Sequence, residues 1–228
     1  MSMVVASREF CVALNFMMNL PRLTIYALLP LGLSSCAVLK KQPTDDLVTI
    51  TTPQGDIRLL LSDAAPKHKA NFLKLAREGF YDGTTFHRVI NGFMIQGGDP
   101  NSKNDNPNDD GSGGPGYTIP AEMDNGLKHK RGAVAAARLG DGQNPKKESS
   151  GSQFYLVQPP AGTPFLDGQY TVFGETVSGF EVIDDISQVP KNRQDRPTTA
   201  VTMKVKVEKL TRKKITELTG YQYPEATK

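Results

Sequence analysis

The residues best suited to chemistry fall in one run, Phe86-His87-Arg88-Val89-Ile90-Asn91-Gly92-Phe93-Met94-Ile95-Gln96-Gly97-Gly98-Asp99. Asn91-Gly92 breaks it into two short strands. Alternation puts Phe86, Arg88 and Ile90 on one face of the first strand and His87 and Val89 on the other. Phe93, Met94 and Gln96 follow the break. Then comes Gly97-Gly98, where the missing Cβ lets backbone approach closely. An arginine, large apolar side chains and an amide this close together can line one pocket, apolar with a few placed polar groups. The same spacing suits an ordinary core hairpin with Arg88 solvated at its edge. Spacing alone leaves both open.

Other chemistries find less support. A hydrolase needs a nucleophile, a base and a group to orient it. His87 should point away from Arg88, His129 sits between Lys128 and Lys130 with nothing catalytic beside it, and His68 reads as a surface residue of a helix. Asp105, Asp109 and Asp110 invite a calcium reading, but their spacing is not that of an EF-hand and the terminal glutamate is missing. A solvated loop is the better reading, and no metal or cofactor is expected. The only cysteines are Cys11 and Cys36. If the chain is cleaved before Cys36, no internal disulfide can form and no thiol remains for catalysis.

The words themselves say more than their spacing. Phe86-His87-Arg88-Val89-Ile90 with Gly92-Phe93-Met94-Ile95-Gln96-Gly97-Gly98-Asp99 resembles the signature of the cyclophilins, the prolyl isomerase family. Ser150-Gly151-Ser152-Gln153-Phe154-Tyr155 is similar to that family's other signature. Phe165-Leu166-Asp167-Gly168-Gln169-Tyr170-Thr171-Val172-Phe173-Gly174 is similar to the segment that follows it. The blocks stand in the family's order, and the resemblance runs from about Val48 to about Leu210. It implies a mainly β fold, a closed antiparallel β-barrel capped by two α-helices, monomeric, with a substrate groove on its outer face.

The resemblance also implies an activity: cis-trans rotation of Xaa-Pro bonds in unfolded or partly folded polypeptides. That reaction needs no nucleophile, metal or redox group. Its barrier of about 18–20 kcal/mol reflects lost amide resonance. Donors that bind the twisted amide better than the planar one lower it. Arg88 is the expected catalytic residue, offering always-charged planar donors to the amide nitrogen and the nearby carbonyl. Gln96 would orient Arg88 or bind the substrate backbone. Phe93, Met94, Phe165 and Leu166 would wall the proline pocket, with Tyr155 and Tyr170 at its rim. Gly111, Gly113 and Gly114 match glycines bordering the groove, and Ala137 and Gln153 match groove residues. Arg138 stands where many members have Asn. Phe165 and Tyr170 stand where Trp and His are frequent, and the missing indole donor counts against strong cyclosporin binding. The rival is a proline-binding chaperone or scaffold with little turnover. Retention of Arg88, Phe93, Met94, Gln96 and Gln153 argues against it.

The elements must place these residues. With 38% hydrophobic and 22% charged residues in 228, the chain reads as one soluble domain plus extras. A net charge of +3, with no dense Lys/Arg run interleaved with aromatics, gives no basis for nucleic-acid binding. The domain is expected over residues 47–212. Val48 to Thr52 and Ile57 to Leu61 read as a hairpin. Asp63 is placed to cap a helix with Pro66 in its first turn and Gly79 after its end. The resemblance makes Gly132 to Ala137 a strand, although alanine alone favours helix; Asp167-Gly168 reads as a hairpin turn, Ser178 to Ile186 as a second helix, and Val201 to Val207 as a closing strand. Residues 100–116 and 138–150 look like lengthened loops near the groove. Residues 213–228 read as a polar tail.

The N-terminal stretch reads as an export signal. Leu23 to Leu33 is apolar but short for a membrane span, and Arg22 precedes it. Leu33-Ser34-Ser35-Cys36 resembles the bacterial lipobox. Residues 1–35 are therefore expected to be a lipoprotein-type signal peptide, with Cys36 the acylated first residue of the mature chain and residues 36–46 a tether. Translation is expected to begin at Met17 or Met18. The expected location is the bacterial cell envelope, lipid-anchored, with the domain facing the periplasm.

Overall fold

The computed structural model describes residues 42–104, 106 and 108–224. Its β-branched opening run forms the expected hairpin, β1 (Thr44–Thr52) and β2 (Gly55–Leu61). After helix α1 (Pro66–Arg77) come β3 (Arg88–Ile90) and β4 (Met94–Gly97), paired as Arg88 with Gln96 and Ile90 with Met94. Gly92 lies between them at φ 78°, a left-handed conformation that glycine adopts without steric cost. Strands β5 (Thr118–Ile119), β6 (Ala133–Ala136), β7 (Ser149–Ser150), β8 (Phe154–Val157) and β9 (Val172–Ser178) follow. Helix α2 (Phe180–Ser187), β10 (Lys204–Thr211) and helix α3 (Arg212–Thr219) complete the order. Eight strands make one antiparallel sheet, ordered β10-β1-β2-β9-β6-β8-β4-β3, and β5 pairs with β7 apart from it.

Side chains alternate across this sheet. Val134 and Ala136 join the main core, where Ile50, Ile57 and Leu59 meet Phe72 of α1 and Ile183 of α2. Ala133 and Ala135 face the other way, beside Met94, Tyr155, Val157 and Val172. Small alanines on β6 leave room on both faces; the sheet, not helix propensity, decides their conformation.

The structure revises several expectations. The expected barrel stands in a coarser form, one eight-stranded antiparallel sheet whose end strands β3 and β10 form no ladder with each other. The segments just before them are joined by an isolated bridge, Thr85 to Thr202, and by Gly83 N–H donating to Met203 O at 2.9 Å. Strand β1 reaches back three residues beyond the expected start at 47, pairing with β10 from Thr44–Thr211 onward. Among the described residues three α-helices are present, not two. The stretch read as a tail forms α3, whose Ile215 is buried against Leu47, Leu60 and Val177. Asp63 does not cap α1; its carboxylate pairs with Lys69 at 2.8 Å. Asp167-Gly168 turns no hairpin, since β8 pairs with β4 and β6 while β9 pairs with β2 and β6. Phe86 lies in the main core with Val89 rather than beside Arg88, because the strand starts only at Arg88. The apolar stretch, Cys36 and Asp105 lie outside the described residues.

Candidate active site

Cross-strand neighbours on one face of a sheet point the same way. The β3–β4 register therefore brings Arg88 beside Gln96, and Arg88 Nη1 donates to Gln96 Oε1 at 3.4 Å. Gln96 Nε2 donates to Gln153 Oε1 at 3.1 Å. Gln153 Nε2 donates in turn to the carbonyls of Gly111 and Gly113, at 3.0 and 2.8 Å. The guanidinium is thus one end of a chain of amides that terminates on the glycine loop. Buried Asp99 anchors that loop, accepting from the backbone N–H groups of Asn101 at 2.8 Å, of Gly113 at 3.2 Å and of Gly111.

Beside this chain lies a cavity of about 240 Å³. Arg88 and Gln96 supply its polar side; Phe93, Met94, Ala137, Tyr155, Leu166 and Tyr170 supply most of the rest. Its floor is the sheet face carrying Met94, Ala135 and Tyr155. Phe165 departs from the expected wall. It is 70% exposed and stacks on Phe93 with ring centroids 6.0 Å apart, at the rim of the cavity. Gly111 and Gln153 line a second, adjoining cleft of about 720 Å³ that shares Gln96, Ala137 and Arg138 with the first.

Arg138 also lines the cavity. Its guanidinium lies 4.5 Å from the Tyr170 ring centroid, pairs with Asp141 at 2.6 Å and donates to Gln169 O at 2.9 Å. The Arg138 hydrogen bond holds the Asp141 carboxyl below its ordinary range. The loop carrying Asp141 is thereby tied to the cavity rim. Lys147, from the same loop, donates to Gln169 Oε1 at 2.6 Å.

All three histidines are buried, against the surface reading of His68. His68 Nδ1 meets Glu122 Oε2 at 2.6 Å, and the ring stacks on Phe173. His87 has no hydrogen-bond partner on either ring nitrogen among the described residues. His129 lies between Asp167 and the Tyr155 hydroxyl, at 2.8 and 3.0 Å. Burial pushes all three below the ordinary histidine value; neighbouring Glu122, Asp99 and Asp167 oppose it. Sequence reasoning missed His129 because its partners stand 38 and 26 residues away.

The fold thus sets a largely apolar cavity beside a guanidinium. The comparisons name the class. Residues 47–207 match the family model described as cyclophilin type peptidyl-prolyl cis-trans isomerase/CLD. The chain is 47% identical over 129 residues to peptidyl-prolyl cis-trans isomerase B of Bacillus subtilis, covering 56% of this chain and 80% of that one. It is 44% identical over 144 residues to a peptidyl-prolyl cis-trans isomerase of Helicobacter pylori, covering 61% and 79%. A cyclophilin type isomerase of Cryptosporidium parvum has a similar structure, with TM-score 0.63 and 32% identity over 72% of this chain and 98% of that one. The chain belongs to the cyclophilin-type peptidyl-prolyl cis-trans isomerases. It is an enzyme of that activity, and its substrates are proline-containing polypeptides.

Proposed function

We propose that the isomerase reaction occurs in the cavity between Arg88 and Phe93, by non-covalent catalysis. The observation that carries this is the pairing of an oriented guanidinium with an apolar cavity. The proline ring would sit against Phe93, Met94 and Leu166. Arg88 would meet the amide nitrogen, whose lone pair returns only as the bond twists. A group that binds the twisted state more strongly raises kcat. Gln96 leaves Arg88's other donors for the substrate. The test is exchange spectroscopy on an Xaa-Pro peptide at matched saturation. Arg88→Ala should stay folded and bind weakly while losing about 10²–10³ in rate, as expected for one preorganised donor. Arg88→Lys should recover only part, because an ammonium lacks the planar fork. Unchanged exchange in Arg88→Ala would sink the assignment and favour a proline-binding module.

The wider setting is part of the same proposal. The lipobox-like Leu33-Ser34-Ser35-Cys36 after a short apolar run supports a signal peptide over residues 1–35 and acylation of Cys36. The isomerase would then be a monomer tethered to a membrane of the cell envelope, with its domain in the periplasm and exported polypeptides as clients. The Thr85–Thr202 bridge supports reading the sheet as a barrel whose seam lies between the segments preceding β3 and β10.

A further inference from the structure

We propose that Asp167 and His129 act as positioning residues for Tyr155, setting how the aromatic wall of the cavity meets the proline ring. This rests on the isomerase reading of the cavity given above. The His129 side chain is 1% exposed. Its Nδ1 lies 2.8 Å from Asp167 Oδ1, and its backbone N–H donates to the same oxygen at 2.9 Å. Its Nε2 lies 3.0 Å from the Tyr155 hydroxyl, with the rings stacked at 13°. Its carbonyl accepts from Thr163 N–H at 2.8 Å, at the start of the short helical turn Pro164–Leu166. Tyr155 on β8 and Leu166 on that turn both line the cavity. One residue, His129, therefore ties together two parts of the wall that belong to different elements: Tyr155 through its ring, and the turn before Leu166 through its backbone carbonyl.

A phenylalanine at 155 would give the same apolar wall and need no partner, so the hydroxyl calls for its own explanation. The carboxylate can only accept, which fixes the histidine proton on Nδ1. Nε2 then accepts, and the Tyr155 O–H donates to it. The ring is held at its tip as well as by packing, and its proton is directed at the imidazole rather than at a ligand. A second proton on His129 would reverse this. Nε2 would become a donor, and the Tyr155 O–H would lose its acceptor. Burial lowers the imidazole's pKa, Asp167 opposes that, and Lys128 on the same loop reinforces it. The charged and titratable groups around Tyr155 are Tyr170, Arg138 and Asp167. The chain is therefore intact at neutral pH and reverses as pH falls through a value below the ordinary 6.5.

The test measures KM and kcat for an Xaa-Pro peptide by exchange spectroscopy on the full chain, between about pH 5 and 8. Tyr155→Phe should raise KM about 2- to 10-fold, the order of one hydrogen bond, with kcat little changed, because the wall grips the ring alike in planar and twisted states. Wild-type KM should rise at acid pH, and Tyr155→Phe should lack that step. His129→Leu should raise KM further. His129→Gln, able to donate to Asp167 and accept from Tyr155, should bring KM back toward wild type without the pH step. Nitrogen shifts of His129 should report the Nδ1–H tautomer at neutral pH. Tyr155→Phe with wild-type KM and pH profile, or an Nε2–H tautomer, would overturn the proposal. Neither result touches the Arg88 reading, which fails only if Arg88→Ala keeps its kcat.

Discussion

Arg88 and Gln96 meet because a turn at Asn91–Phe93 sets their strands in register. The register could not be read from the sequence, since a two-residue Asn-Gly loop would set Ile90 opposite Phe93, whereas three residues turn and Ile90 faces Met94; the break itself could be read. Phe86 could not, because the strand begins two residues later and the alternation does not extend back to it. The burial of His68 and His129 was equally hidden, as Glu122 and Asp167 are remote in the chain. Phe93 is half-buried at the cavity edge, so Phe93→Ala should weaken peptide binding and leave the fold intact. Truncating an aromatic in a closed core costs roughly 3–5 kcal/mol, and less in an open groove. A mutant that unfolds at room temperature would show that Phe93 is core instead. The histidines make a second prediction. Each has its pKa below the unfolded value of 6.5, so each favours the folded state fully above that value. Their contribution is lost as pH falls through the lowered folded values. Glu122, lowered by its hydrogen bonds with His68 although burial opposes this, adds a further loss at more acid pH. Urea midpoints should hold steady above pH 7 and fall below about pH 6, and His68→Asn should flatten part of that slope. Midpoints that rise on acidification would refute it.

Among the elements, the glycine loop and α3 depart most from a bare hairpin-and-helix reading. Asp99 holds the loop through the N–H groups of Asn101, Gly111 and Gly113. Asp99→Ala would leave these donors without their acceptor, at about 1–3 kcal/mol for each that stays buried. We expect a lower melting temperature and faster proteolytic nicking within residues 100–116; unchanged digestion would show that the loop is held elsewhere. Helix α3 escaped the sequence reading because Arg212-Lys213-Lys214-Ile215-Thr216-Glu217-Leu218-Thr219 is mostly polar, and its two apolar residues, Ile215 and Leu218, are too few to establish a periodicity. Its anchor, Ile215, is fully buried, and burying such a side chain contributes about 1.5–3 kcal/mol. Tyr221 adds a hydrogen bond to Glu175 at 2.8 Å, and that acid together with burial pushes the phenol up to about 12. Ile215→Asp should release the helix and lower stability while leaving peptide turnover unchanged, since α3 lines neither the cavity nor the adjoining cleft. Loss of turnover at temperatures where the mutant stays folded would contradict that separation.

For the whole molecule, the expected anchor gives the plainest test. Cys36→Ser should release the protein from membranes or leave it unprocessed, because stable anchoring needs more than one acyl chain. Wild-type protein recovered wholly soluble, with an unmodified Cys36, would exclude the anchor. The sheet itself has a consequence in time. Strand β1 lies between β2 and β10, and its pairing with β10 joins Thr44 to Thr211 and Thr51 to Lys204. A ribosome makes β1 long before β10, at about 5–20 residues per second. For that interval the outer edge of β1 stays open, as does that of β2 until β9 is made, and each open row of backbone donors and acceptors is a template for any other nascent strand. A folding catalyst of this architecture is thus itself a late folder, complete only when its last strand has emerged, and in crowded synthesis it would be among the chains that need shielding.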